Sequence, residues 1–277
     1  MLRSDKILPL LTDSVAQWLS EKSEIIVANQ SAKDLFLTYT LLARKATSNV
    51  LEIEDGEDSG LGYFKSHRAN ELEIARMYLL IYVLEQDFDF FKDKVVKLTQ
   101  VADITELETF LKYLHFLPQA AYFRDTAVDA LRTNIGTVFD AISQDNPYPA
   151  LHFNDQQWNQ MFLKAAFIQS DLNGIRDIEA RGNADLARIV SDYAHERWAA
   201  SRTIDAHIWR PVTHYLEGVL LEDMERLFQS EDPVERKAAT LCCSNATNTQ
   251  AKALLGIYPE FSEAVQTNEL NWNTLKN

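Results

Sequence analysis

Glycine and proline are scarce in this chain. Eight Gly and seven Pro in 277 residues are too few to punctuate the many short turns of an all-β fold, and they favour long helices. Cysteine is scarcer still. The two, Cys242 and Cys243, are adjacent, which suits neither an ordinary disulfide nor a CxxC metal site. They read as small core residues of a protein kept in a reducing compartment. Long apolar runs are missing too. The strongest, 77–84, is flanked by Arg76 and Glu85 and cannot span a bilayer. The run 7–11 is cut off by Thr12 and Asp13 and lacks a signal-peptide core. The expectation is a cytoplasmic protein with no transmembrane segment, for which a transient association with a membrane protein stays open. Positive charge is short as well: 27 Lys and Arg stand against 41 Asp and Glu, a net charge of −14. That balance argues against nucleic acid as a partner and against strong adsorption to anionic lipid.

Familiar chemical signatures are absent. There is no GxGxxG, no GxxxxGK and no GxSxG, so dinucleotide, phosphate-loop and nucleophile-elbow chemistry lack their usual carriers. The histidines His67, His115, His152, His195, His207 and His214 show no metal spacing. His195-Glu196 begins like a zinc-protease helix, but Ala199 stands where the second His is needed. His207 and His214 could share a site with Glu217 or Glu222 only across Pro211. No cofactor, metal or catalytic residue is therefore assigned.

What is present is helical periodicity. Over 183–202, Leu186, Ile189, Val190, Tyr193 and Ala200 fall on one side, an i, i+3, i+4, i+7 stripe. Arg188, Asp192, His195, Ala199 and Arg202 fall opposite. Arg197 breaks the pattern, lying about 20° from Leu186 at 100° per residue. A guanidinium there either reaches the surface or is met by a carboxylate or backbone carbonyls. It is expected to be at least partly buried and paired, a structural clamp. His195 reads as solvated or locally hydrogen-bonded. The preceding helix opens with a capping pair, Asn154 and Gln157. Its residues 158–168 are apolar almost all round, with only Gln160 and Lys164 on a polar edge, which places it in the protein's middle.

The rest of the chain reads as one all-α domain, 1–277, irregular and multi-helical. Helices are expected over 5–20, from a Ser31 cap through 45, and over 70–85 and 87–100. Others follow over 105–116 (capped by Thr105 and Glu108), 120–144 with a break near Gly136, and 216–228. Residues 48–67, rich in acids and glycine, read as a solvated loop that could act as a lid; they lack calcium-loop spacing. Asn146-Pro147 and Pro149 mark a turn. Asp232-Pro233-Val234-Glu235 is the clearest helix start. The hairpin around it is like a HEAT repeat, so a compact α-solenoid is an alternative architecture, although no period repeats along the chain.

Several stretches together resemble the EboA family: NPYPA at 146–150, WNQMFLKAAFI at 158–168, the segment 175–187, DYAHERWAASR at 192–202, HIWRPV at 207–212 and SEDPVERKAATL at 230–241. The likeness is good over 147–241 and weak in the N-terminal half. The family is associated with bacterial gene clusters that move metabolites or their precursors to the periplasm, and its members are soluble helical proteins with no assigned reaction. The resemblance therefore implies a non-enzymatic accessory protein of secondary-metabolite traffic. Its partners would be a small metabolite or other proteins of the same export pathway. A HEAT-like interaction scaffold and an enzyme with an unfamiliar helical active site are the alternatives.

For binding, the candidate face carries Arg188, His195 and Arg202, with Lys164 or Arg210 nearby. Basic groups at helical spacing can orient an anionic group without supplying a nucleophile; a merely solvated helix face would look the same. Trp158, Trp198 and Trp209 read as core packing, and with Arg197 they form the structural set.

Overall fold

The computed structural model describes residues 2–54 and 59–276. Among the described residues the regular structure is helical, with a single isolated bridge between Val50 and Asn70. The all-α expectation holds. The chain divides into two compact units, Met1–Ile142 and Ser143–Asn277. None of the described helices is long and apolar enough to cross a membrane.

The first unit is built around the helix Glu71–Gln86. From Ile74 to Leu84 its side chains are apolar on nearly every face apart from Arg76, and all but Tyr82 are buried. Such a helix must be surrounded, and the helices Ser4–Ile7, Asp13–Ala28, Phe88–Val101 and Ile104–Lys112 pack against it. Asn70 and Glu73 form a reciprocal capping box at its start.

Four of the sequence expectations need adjustment, three in this unit and one at the start of the second. The helix expected over 5–20 is broken: Ser4–Ile7 and a 3-10 turn containing Pro9 precede an extended Leu11, and the main helix runs Asp13–Ala28. Of the loop expected over 48–67, Ser59–Ser66 is helical, because Tyr63 and Phe64 bury their rings. Its acids Asp55, Glu57 and Asp58 lie outside the described residues. The cap of Ile104–Lys112 is Asp103 with Glu106, not Thr105 with Glu108; Asp is the stronger N-cap. Pro147 and Pro149 do not mark a bare turn, because they open the short helix Tyr148–His152, where proline's missing N–H does no harm.

The second unit packs the helices Asp155–Ile168, Ala184–Ala199, Val219–Phe228 and Pro233–Asn245 with a 3-10 run, Ala206–Tyr215. Asn154 and Gln157 cap the first of these as expected. That helix is less enclosed than its composition implied. Trp158, Met161, Phe162 and Ala165 are buried, but Phe167 is 75% exposed and Ile168 42%. Composition reports what a helix could bury and leaves open whether neighbours cover its last turn. Trp158 lies under the Arg181 guanidinium, 4.9 Å from its ring. The same guanidinium donates to the carbonyls of Pro149, Ala150 and Phe153. It thereby satisfies the C-terminal carbonyls of Tyr148–His152. Gly182 passes so close to the Pro211 carbonyl that a Cβ would sit 2.5 Å from it, a contact only glycine tolerates.

Candidate ligand-binding site

The helix Ala184–Ala199 starts on Asn183, whose side chain accepts from the Leu186 N–H. Its buried face is Leu186, Ala187, Val190, Ser191 and Ala194, with Ile189 and Tyr193 half-buried. Ala200, expected in the stripe, is exposed, because the helix has ended by then. The end is a Schellman turn. Ser201 is left-handed at φ 53°, its N–H bonds the Trp198 carbonyl, and the Arg202 N–H bonds the Arg197 carbonyl. A serine holds a conformation that glycine usually takes, and the chain folds back sharply.

That reversal brings the Thr203 carbonyl onto Arg197. Nε donates to it at 3.1 Å and Nη2 at 2.6 Å. Arg197 is half-buried and paired, by a backbone carbonyl. Among the described residues no carboxylate forms an ion pair with it. Removing it therefore strands no buried charge. Arg197→Ala is expected to lower stability by about 1.5–3 kcal/mol, the value of a hydrogen bond to a charged group, short of a broken buried ion pair. An equilibrium urea curve gives the number; a loss above about 3 kcal/mol would mean a hidden carboxylate partner.

Arg197 also lines a cavity of about 430 Å³. Ala166, Leu172, Ile204, Ala206 and Val234 supply apolar wall, and Tyr193, Gln169, Ser170 and Thr203 neutral polar groups. Asp205, Asp232 and Glu235 add three carboxylates. Asp232 caps the helix Pro233–Asn245, accepting from the Val234 N–H at 2.8 Å. Asp205 is held from behind by His207, whose Nδ1 lies 2.9 Å from its Oδ1. The other ring nitrogen, Nε2, is 3.0 Å from the Trp272 carbonyl. A carbonyl only accepts, so Nε2 carries a proton, and Nδ1 facing a carboxylate favours a second. Burial pushes the His207 pKa down, but the bonds to Asp205 and Trp272 outweigh it and the net direction is up.

The remaining sequence candidates are dispersed. Arg188 pairs with Asp192 at 3.2 Å in solvent and lines a separate cavity of about 370 Å³ with Asp155 and Asp185. Arg202 is exposed, and Lys164 is half-buried, which lowers its pKa. Arg210 is a clamp: Nε and Nη2 grip Glu179 at 2.8–3.1 Å, and Nη1 donates to Asn173. His195 is locally bonded, as one of its two readings had it. Its Nε2 lies 2.6 Å from Oδ1 of the buried Asp223, whose Oδ2 accepts from Ser191 at 2.6 Å. Trp198 stacks on the buried Trp209, and the Arg226 guanidinium also lies over the Trp198 ring, 4.1 Å from its centroid. None of Lys164, Arg188, His195, Arg202 and Arg210 lines the Arg197 cavity.

The model of the family described as metabolite traffic protein EboA matches residues 4–213. The chain belongs to the EboA family. The match starts far ahead of 147, so the N-terminal half shares the family relationship, and it stops short of 241. Thr203, Asp205 and Arg197 lie inside it, whereas Asp232, Val234 and Glu235 come from beyond its end. No curated protein and no solved structure matches the chain. Sequence reasoning found Arg197 through its broken stripe and missed the acids. Asp232 and Glu235 stood in the helix-start signal, and for Asp205 the local signal was the spacing Asp205-Ala206-His207, which lets a carboxylate reach both the N–H and the ring of His207.

Proposed function

We propose that this EboA-family chain is a non-enzymatic accessory protein that holds a small metabolite, or its precursor, in the Arg197 cavity during its traffic. One observation carries the reading. Of the five N–H groups of the Arg197 guanidinium, two donate to the Thr203 carbonyl and three have no partner among the described residues, on a side chain that lines the cavity. A cation pinned in advance loses little side-chain freedom on binding. The volume and the mixed apolar and polar lining suit a small molecule. Retention and release require no nucleophile, which agrees with the family description.

The test is native mass spectrometry of the protein purified from its own cells. Wild type is expected to carry a bound small-molecule mass that Arg197→Gln, folded by circular dichroism, loses at least tenfold. Equal retention by both proteins would sink the reading. A second reading, docking of a protein from the same export pathway, draws on Phe167, which is 75% exposed next to the cavity residue Ala166. In the same spectra it would register as a co-purified protein lost on Phe167→Ser.

A further inference from the structure

We infer that the ligand of the Arg197 cavity is a zwitterion, a compound bearing one carboxylate and one ammonium on a compact apolar body. The inference rests on the cavity being a binding site. The cavity holds charges of both signs that do not neutralise each other. Arg197 is turned onto the Thr203 carbonyl, and among the described residues no ion pair joins it to Asp232 or Glu235. Glu235 is half-buried in the first turn of Pro233–Asn245, and among the described residues its carboxylate has no hydrogen-bond or ion-pair partner. Asp232 uses Oδ1 on its own helix.

Charge bookkeeping separates the ligand classes. A purely anionic ligand would meet one guanidinium and, with Asp205 offset by the His207 ring behind it, two further carboxylates, still a net repulsion. A purely cationic one would meet the acids but also the fixed guanidinium. A neutral one would desolvate Arg197 and Glu235 without pairing either, which is unfavourable for both. A molecule with a carboxylate toward Arg197 and an ammonium toward Glu235 pairs both, and it bridges a gap that the two side chains do not close themselves. The wall of Leu172, Ile204, Ala206 and Val234 then takes the apolar body.

Three probes with the same aromatic body isolate the charges: phenylalanine, 3-phenylpropanoate and 2-phenylethylamine. Each is titrated into the full chain by ligand-observed NMR. Phenylalanine is expected to bind about tenfold more tightly than either singly charged analogue. Arg197→Gln should bring it down to the level of the amine, and Glu235→Gln to that of the acid. An analogue that matches phenylalanine, or binding of none of the three, overturns the inference. Failure of the zwitterion inference is distinguishable from failure of the cavity as a binding site. A retained cellular mass that depends on Arg197, without phenylalanine binding, rejects zwitterion chemistry and leaves the cavity reading standing.

Discussion

Arg76→Ala is expected to lower the stability of the chain by about 3–5 kcal/mol. Arg76 is 1% exposed, in the middle of the most enclosed helix of the first unit. Its Nη2 lies 3.5 Å from Oε1 of Glu106, itself 6% exposed, and its guanidinium sits 5.3 Å from the Tyr39 ring. Glu106 already has two other duties. Its Oε2 accepts from the Asp103 N–H in the capping box, and its carbonyl accepts from Tyr39 Oη. Removing the arginine leaves a carboxylate that these contacts hold in place, buried and without its cation. That is the costly half of breaking a buried pair. The double substitution Arg76→Met with Glu106→Gln strands no charge and is expected to recover most of the loss. Urea denaturation of the three proteins decides it. A single mutant within about 1 kcal/mol of wild type would show that the pair behaves like a solvated one.

Arg76 also marks how far the sequence could be read. In the linear chain it stands at the edge of an apolar run and looks like the flank that ends it. Its partner, thirty positions on, comes near only when Ile104–Lys112 packs against Glu71–Gln86. Local signals fared better. The caps expected at Ser31, Asn154 and Asp232 are each carried by a short-range side-chain bond. Such bonds depend on three or four adjacent residues and are legible without the fold. The ranking of buried helices was not. The run 158–168 and the run 74–84 look equally apolar, yet only the second is covered at both ends. The cavity is tertiary in the same sense. Its walls come from 166–172, 193–206 and 232–235, and only Arg197 declared itself, because a charge in an apolar stripe violates a local rule. The basic residues chosen for binding obeyed every local rule. They turned out to be engaged or scattered, as Arg210 on Glu179 and His195 on Asp223 illustrate.

Glu71→Gln is expected to cost about 3 kcal/mol near neutral pH, through donors left facing an amide that cannot accept them all. Glu71 is 1% exposed. Its Oε1 accepts from the Thr12 N–H at 3.0 Å and the Thr12 hydroxyl at 2.7 Å. Its Oε2 accepts from the Thr47 N–H at 2.9 Å and the Thr47 hydroxyl at 3.2 Å. One carboxylate thus ties the start of Asp13–Ala28 and the segment after the Leu42–Arg44 turn to the first turn of Glu71–Gln86. A helix N-terminus is also a favourable place for its charge. Burial by itself would raise the pKa, but the four bonds to the ionised form outweigh it and the direction is down from 4.5. The sign of the pH effect follows. A lowered folded-state pKa means that the carboxylate contributes stability above 4.5, and that this contribution is lost as pH falls through the folded value. The gap between wild type and Glu71→Gln should therefore be widest near neutral pH and narrow in acid, because the glutamine cannot titrate. Urea curves for both proteins at stepped pH values measure the gap directly. A gap that stays constant through the acid range would show that the four bonds do not favour the ionised carboxylate over its protonated form.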